Sequence, residues 1–213
     1  MSFLDWLLLV RHGEAEHHTR GLTGGWTDLP LTETGRDQLR QLGQRIKRDF
    51  GALPFQIITS DLVRAKESAQ IISEVTGFPI VEAVKWLREK NNGIAAGLHE
   101  EEARKLAYSP LPDKPLDWRR YEGGETRREF FNRVAKPFER VVKNYSHVIV
   151  VAHKGTLQQL LFRSMGFKTI DQVANHNISF EISPASLTVV QKNRWGENSL
   201  VLLNDRSHLL PLR

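Results

Sequence analysis

Trp6-Leu7-Leu8-Leu9-Val10-Arg11-His12-Gly13-Glu14 sets an unbroken apolar run directly before an arginine and a histidine. A short, continuous apolar run reads as a strand buried on both faces of a sheet. Arg11 and His12 then fall where the strand ends and its loop begins. In an open α/β sheet the carboxyl ends of the strands are where ligands bind, and a histidine there presents its ring while the strand behind holds its backbone still.

The same grammar recurs twice. Gln56 to Ser60 leads through Asp61 into a helical stretch holding Arg64, and Val148 to Ala152 leads through His153 into a helix over Thr156 to Met165. If these three strands run parallel in one sheet, Arg11, His12, Arg64 and His153 meet at one edge. Two arginines and two histidines suit a tetrahedral dianion, because a guanidinium fork matches phosphate oxygens and helix N-termini after Ser60 and His153 add dipoles of the same sign. Such an edge is predicted to bind a phosphoryl group.

Elsewhere the periodicity keeps switching between short β-rich runs and longer helical ones. This predicts an α/β fold, a three-layer αβα sandwich around a mostly parallel central sheet. Leu39, Leu42, Ile46 and Phe50 recur at helical spacing after Thr32, a predicted N-cap. Phe55 to Thr59 predicts a strand, Leu62 to Thr76 a helix closed by Gly77, and Ile80 to Val84 a further strand. Glu101 to Tyr108 reads as a short helix, and Ser109 to Trp118, rich in proline, as irregular. Glu125 to Asn144 is a long helical pattern interrupted by Pro137, and Ser179 to Ile182, Leu187 to Gln191 and Ser199 to Leu203 are predicted strands. We expect a single domain over residues 1–213, with an irregular insertion near 99–122 lying close to the site.

Composition narrows the chemistry. Apolar residues make up 40% and charged residues 26% of the 213, a soluble balance with no run long enough to span a membrane. The apolar stretch Phe3 to Val10 makes a poor secretion signal, so a cytoplasmic location is expected. Zero cysteines exclude disulfides, thiolate metal sites and every cysteine nucleophile. Thirty Lys+Arg against 25 Asp+Glu give a net charge of +5, which draws anions. The basic residues are scattered among acids with no aromatic-rich binding motif, so small phosphorylated compounds are expected as partners and nucleic acid is not. The five tryptophans read as core and hairpin packing.

Taken together, six ordered motifs give the chain a family likeness. Arg11-His12-Gly13-Glu14, Ser60-x-Leu62-x-Arg64-Ala65 with Ser68-Ala69, Leu87-Arg88-Glu89 with Gly93 and Gly97-Leu98, Gly123-Gly124-Glu125-Thr126, Val151-Ala152-His153, and Leu203-Asn204-Asp205-x-Ser207-His208-Leu209 span nearly the whole chain. In this order they resemble the histidine phosphatase superfamily, the branch with cofactor-dependent phosphoglycerate mutases and small-molecule phosphatases.

The resemblance implies that His12 is the nucleophile and becomes phosphorylated, while Arg11, Arg64 and His153 hold the phosphoryl oxygens. His153, if protonated, serves as a cation. Fixed cations around the equatorial oxygens stabilise the spreading charge of the transition state without moving. Glu89 falls where the family keeps its proton donor, with Glu82 and Glu100 as alternatives. Thr23, Gly24 and Gly25 resemble the loop over the phosphate. His18 stands where many relatives carry an asparagine that donates to the phosphate, and Lys154 where they carry glycine, so it either adds a cation or points to solvent.

The resemblance calls for no metal and no other cofactor. A metal site from His12, Glu14, His17 and His18 is the competing reading, opposed because neighbouring His17 and His18 would point apart on a strand and because a metal would not require Arg11 and Arg64 so near. The mutase motif of paired arginines before Ser-Tyr is not recognisable in the middle region, where Arg104, Lys105, Lys114, Arg119 and Arg120 supply the basic residues. The sequence therefore favours a phosphatase of small phosphate monoesters over a phosphoglycerate mutase, with a phosphate-binding protein lacking turnover as the non-enzyme alternative. The terminal strands offer an edge for a possible homodimer.

Overall fold

The structure, a computed structural model, describes residues 4–209, so Phe3, where the apolar stretch begins, lies outside the described residues. Strand β1 (Trp6–Arg11) runs through the middle of a sheet. The other strands are β2 (Gln56–Ser60), β3 (Ile80–Val84), β4 (His147–Ala152), β5 (Leu187–Lys192) and β6 (Asn198–Asp205). Among the described residues they form one sheet in the order β3-β2-β4-β1-β5-β6. The four strands from β3 to β1 are parallel, whereas β5 runs antiparallel to β1 and β6 antiparallel to β5. The central sheet is thus mixed. A parallel return needs a long crossover. The tight turn after Lys192, where Asn193 Oδ1 accepts from the N–H groups of Trp195 and Glu197 at 2.9 and 3.0 Å, permits only a hairpin.

Strand alternation decides the layers. Leu7 and Leu9 of β1 join Val148 and Val150 of β4 on one face, covered by Phe130, Val134, Phe138 and Val141 of helix α5 (Arg127–Asn144) and by Leu157, Leu160 and Leu161 of α6 (Lys154–Ser164). Leu8, Val10, Ile149 and Val151 point the other way, onto Leu39, Leu42 and Ile46 of α2 (Glu33–Phe50) and Ala69 and Ile72 of α3 (Val63–Thr76). Period two in the strands and the four-residue stripes in the helices are the physical content of the apolar pattern. No helix among the described residues is long and apolar enough to cross a membrane.

Several local expectations need correction. Glu16–Thr19 is a short helix, α1, so His17 and His18 lie on a helical turn with ring centroids 4.0 Å apart instead of diverging on a strand. The helix predicted over 101–108 is the shorter α4 (Glu100–Lys105). Pro137 does not interrupt α5, which passes through it. Residues 179–182 form no strand, and the helix α7 (Ile170–His176), begun by a capping box between Thr169 and Gln172, had not been foreseen. Ser109 to Trp118 is irregular as expected. Of the tryptophans, Trp6 packs edge-on against Phe50 at 5.6 Å, whereas Trp195 is 69% exposed at the β5–β6 turn.

Candidate active site

Register brings the histidines together before any side chain is considered. Arg11 of β1 pairs with Ala152 of β4, so the next residues, His12 and His153, leave the sheet side by side. Their rings lie 5.1 Å apart between centroids. Thr59 of β2 pairs with Val151 on the other side of β4, and the chain turns through Ser60 and Asp61 into α3, which carries Arg64. Arg64 is almost wholly buried, and its Nε donates to His12 Nε2 at 3.3 Å. Its other nitrogens donate to the carbonyls of Thr27 and Gly25 at 2.5 and 2.9 Å.

The hydrogen bonds fix the protonation pattern. His12 Nδ1 lies 2.8 Å from the Gly13 carbonyl, which can only accept, so the ring proton sits on Nδ1 and the Nε2 lone pair faces Arg64. Burial first, then Arg64, His153 and Arg11, holds His12 well below the usual imidazole range. The ring is therefore neutral, as a nucleophile must be. Gly13 is required here, since a Cβ would meet the Gly35 backbone and the Leu39 side chain.

His153 Nε2 lies 2.9 Å from Ser60 Oγ, and its buried Nδ1 has no partner. Burial, then Arg64 and Arg11, also keeps this ring well below its usual range. The cation that the sequence reading reserved for position 153 is thus a neutral ring here, and the fixed positive charge comes from the guanidiniums. Arg64 is lowered to about 10, mainly by burial, and remains charged. Arg11 Nη1 donates to the Ile182 carbonyl at 2.8 Å, while its buried Nε has no partner.

His18 adds a donor. Its Nδ1 accepts from the Ala15 N–H at 3.1 Å, which puts the proton of the neutral ring on Nε2, and that nitrogen lies 3.0 Å from Arg11 Nη2. Burial and the two arginines lower His18 to about 4. Two donors so close together call for a shared acceptor, and a phosphate oxygen is one.

The remaining predicted residues divide. Glu89 lines the same cavity, about 280 Å³ in volume, and its charge acts on both Arg11 and Arg64. Its carboxylate oxygens accept from the N–H groups of Lys90 and Gly155, each at 2.8 Å. A Cβ on Gly155 would collide with that carboxylate. Of the alternatives, Glu100 also lines the cavity, whereas Glu82 sits on β3 and accepts from the Tyr145 hydroxyl at 3.1 Å. Thr23 and Gly24 line the cavity, but the Thr23 hydroxyl is engaged by the Ala95 carbonyl. Gly25 gives its carbonyl to Arg64. Lys154 lines the wall with its ammonium 2.7 Å from Glu181 Oε2.

His17 was read from the sequence only as a metal candidate, yet it is buried, lines the cavity and is lowered to about 3 by burial and its charged neighbours. Nitrogens of His12, His17 and His18 lie within 4.8 Å of one another. The spacing argument against a metal therefore fails; what opposes a cation is charge, since Arg64 donates to His12 and Arg11 abuts His18. The support behind Glu89 also escaped notice. Arg133 of α5 and Trp26 donate to its backbone carbonyl at 3.0 and 2.8 Å, and Glu125 grips Arg133 at 2.6 and 2.8 Å.

A mixed α/β sheet with Arg11 at the end of β1, Arg64 on the helix after β2 and neutral imidazoles between them is the arrangement of an α/β protein with a cationic pocket at its strand ends. The chain belongs to the histidine phosphatase superfamily (branch 1), whose sequence model matches residues 7–206. It is 36% identical over 160 residues to a Bacillus subtilis protein named uncharacterized phosphatase PhoE, covering 74% of this chain and 76% of that one. It is 34% identical over 170 residues to a Parvibaculum lavamentivorans 2,3-bisphosphoglycerate-dependent phosphoglycerate mutase, covering 74% and 78%. Bacillus stearothermophilus YhfR has a similar structure, with a TM-score of 0.74 at 25% identity over 95% of this chain and 98% of that chain. Relatives thus include both phosphatases and mutases.

Proposed function

We propose that the protein is a metal-independent phosphatase that hydrolyses small phosphate monoesters through a phosphohistidine on His12. The observation that carries this reading is the locked His12 tautomer, with Nδ1–H on Gly13 and the Nε2 lone pair facing Arg64. Nε2 attacks phosphorus in line, and the ester P–O bond breaks. The alcohol oxygen takes a proton from the Glu89 carboxyl. Water then attacks the phosphohistidine, gives a proton back to Glu89, and the P–N bond breaks to release phosphate and the free ring.

Arg11, Arg64, His18 and His153 hold the equatorial oxygens; the unpartnered Arg11 Nε and His153 Nδ1 supply sites for them. Phosphoryl dianion next to His153 favours its protonated form, so the ring gains its charge only with the substrate. A mutase must instead hold a second substrate anion for the return transfer. The middle region, where Arg119-Arg120 precede Tyr121 rather than Ser-Tyr, lacks the mutase motif for that anion, which favours water as the acceptor.

Purified protein is expected to hydrolyse p-nitrophenyl phosphate equally with and without EDTA, and His12→Ala to abolish the activity. Conversion of 3-phosphoglycerate to 2-phosphoglycerate, primed by 2,3-bisphosphoglycerate and faster than its hydrolysis, would replace this reading with a mutase.

A further inference from the structure

A second cavity, about 320 Å³ in volume, adjoins the catalytic pocket at Glu89, which lines both spaces, with Gly155 on the side of the second. Proton delivery from Glu89 requires the ester oxygen to lie beside that carboxylate. The alcohol carbon skeleton must then extend on the Glu89 side, where this cavity opens.

The walls define what fits there. Phe130, Phe162, Ile170, Val173 and Ile178 supply hydrocarbon. Six polar side chains share the lining, and those of Glu89, Gln158 and Gln159 are engaged within the protein, while Lys90, Arg127 and Ser179 form a polar edge. The Gln158 amide donates to the Phe180 carbonyl at 2.5 Å, the Gln159 amide donates to the Gly155 carbonyl at 3.2 Å, and Glu89 accepts two backbone N–H groups. Gln159 Oε1, which has no partner, is shut off from solvent. Ile178 is 44% exposed, an apolar surface that an apolar ligand would cover. Lys90 and Arg127 also line the space and leave room for a polar edge on the ligand.

We propose that the physiological substrate is the phosphate ester of an apolar, ring-sized alcohol whose body occupies this cavity. The inference rests on the phosphatase reading for its chemistry, but the subsite itself is a matter of binding and can be measured separately. The two requirements meet in one place: the leaving oxygen beside Glu89 and hydrocarbon walls directly beyond it.

Leaving-group reactivity must be held constant, so the test compares 2-phenylethyl phosphate with ethyl phosphate, both esters of primary alcohols. The phenyl compound is expected to show at least ten-fold higher kcat/KM. Ile178→Asn, at an exposed position outside the phosphate cradle, should cut that ratio several-fold by lowering the phenyl rate while the ethyl rate stays put. In a second arm, 2-phenylethylphosphonate should displace bound inorganic phosphate at lower concentration than methylphosphonate. Equal rates together with equal displacement overturn the apolar subsite and leave the phosphatase reading intact. Preferential displacement without hydrolysis of any ester keeps the subsite and overturns the phosphatase reading. An Ile178→Asn variant of unchanged melting temperature that keeps the full phenyl-to-ethyl ratio also overturns the subsite, since Ile178 then does not touch the alcohol.

Discussion

At the residue scale the site works by controlling where protons sit on imidazoles. His12 donates its Nδ1–H to the Gly13 carbonyl and keeps the Nε2 lone pair facing Arg64, and His18 accepts from Ala15 through Nδ1 and turns its Nε2–H toward Arg11. The same residue type thus plays acceptor and donor because a backbone group claims the opposite nitrogen. We expect His18→Ala to raise KM for p-nitrophenyl phosphate roughly ten-fold or more, the scale of losing one hydrogen bond to a charged group. His18→Asn should recover most of the loss, because an amide N–H can replace the ring donor. Steady-state kinetics of the two variants checks this, and an unchanged KM in the alanine variant would remove His18 from the phosphate cradle.

At the scale of elements, α5 is the beam on which the Glu89 loop rests. Thr126 caps its first turn, accepting from the Glu129 N–H at 3.1 Å while Glu129 returns a bond to the Thr126 N–H at 2.8 Å. From the second turn Arg133 reaches the carbonyls of Trp86, Arg88 and Glu89, and Glu125 fixes Arg133 while accepting from the Asn91 N–H at 2.8 Å. Glu125→Gln removes the charge of this largely sequestered pair and lets the loop carrying the carboxylate drift. We expect kcat to fall about ten-fold, with KM little changed, since a small misplacement of a catalytic group is enough for such a loss. A melting temperature lowered by several degrees should accompany it, in line with about 1–3 kcal/mol for breaking a charged hydrogen-bond pair. Unaltered kcat would show that the loop holds its place without the Glu125 charge on Arg133.

Across the whole molecule, a set of buried and half-buried neutral histidines makes stability depend on pH. His12, His17, His18, His153 and His208 all have pKa values lowered chiefly by burial, to about 4 for His18 and His208. In the unfolded chain the same rings protonate near 6.5. Between that value and about 4 the unfolded state binds more protons than the folded one, so stability must fall as pH falls through this window. Each ring contributes a slope of up to about 1.4 kcal/mol per pH unit. Carboxylates such as Asp205, held below their usual range by Arg45, lower stability in the same direction, but only at lower pH, below the ordinary carboxylate range. A melting temperature that drops steadily from pH 7 to pH 5 is expected, and inorganic phosphate should offset part of the drop by binding the protonated rings. A flat profile over that range would mean that the histidines are hydrated and not buried.

Much of this architecture was legible in the chain. The strand–turn–helix grammar at Arg11-His12, Ser60 to Arg64 and Ala152-His153 is set by local pattern, because period-two burial and helix signals are encoded residue by residue. Their meeting follows once the strands are parallel and in register. The short helix at Glu16–Thr19 was not legible, because one turn has too few residues to show a period, and with it went the packing of His17 against His18. Nor could α7 and the irregular stretch after it be told apart from a strand, since both bury apolar residues such as Val173 and Ile182 without a clean repeat. The sequence by itself determined the strand–turn–helix units that carry Arg11, His12, Arg64 and His153, since these depend on short-range order. Only the tertiary structure decided which ring nitrogen carries the proton, that His153 is neutral, and that a cavity walled in part by hydrocarbon adjoins Glu89. Those properties arise from burial and from groups far apart in the chain.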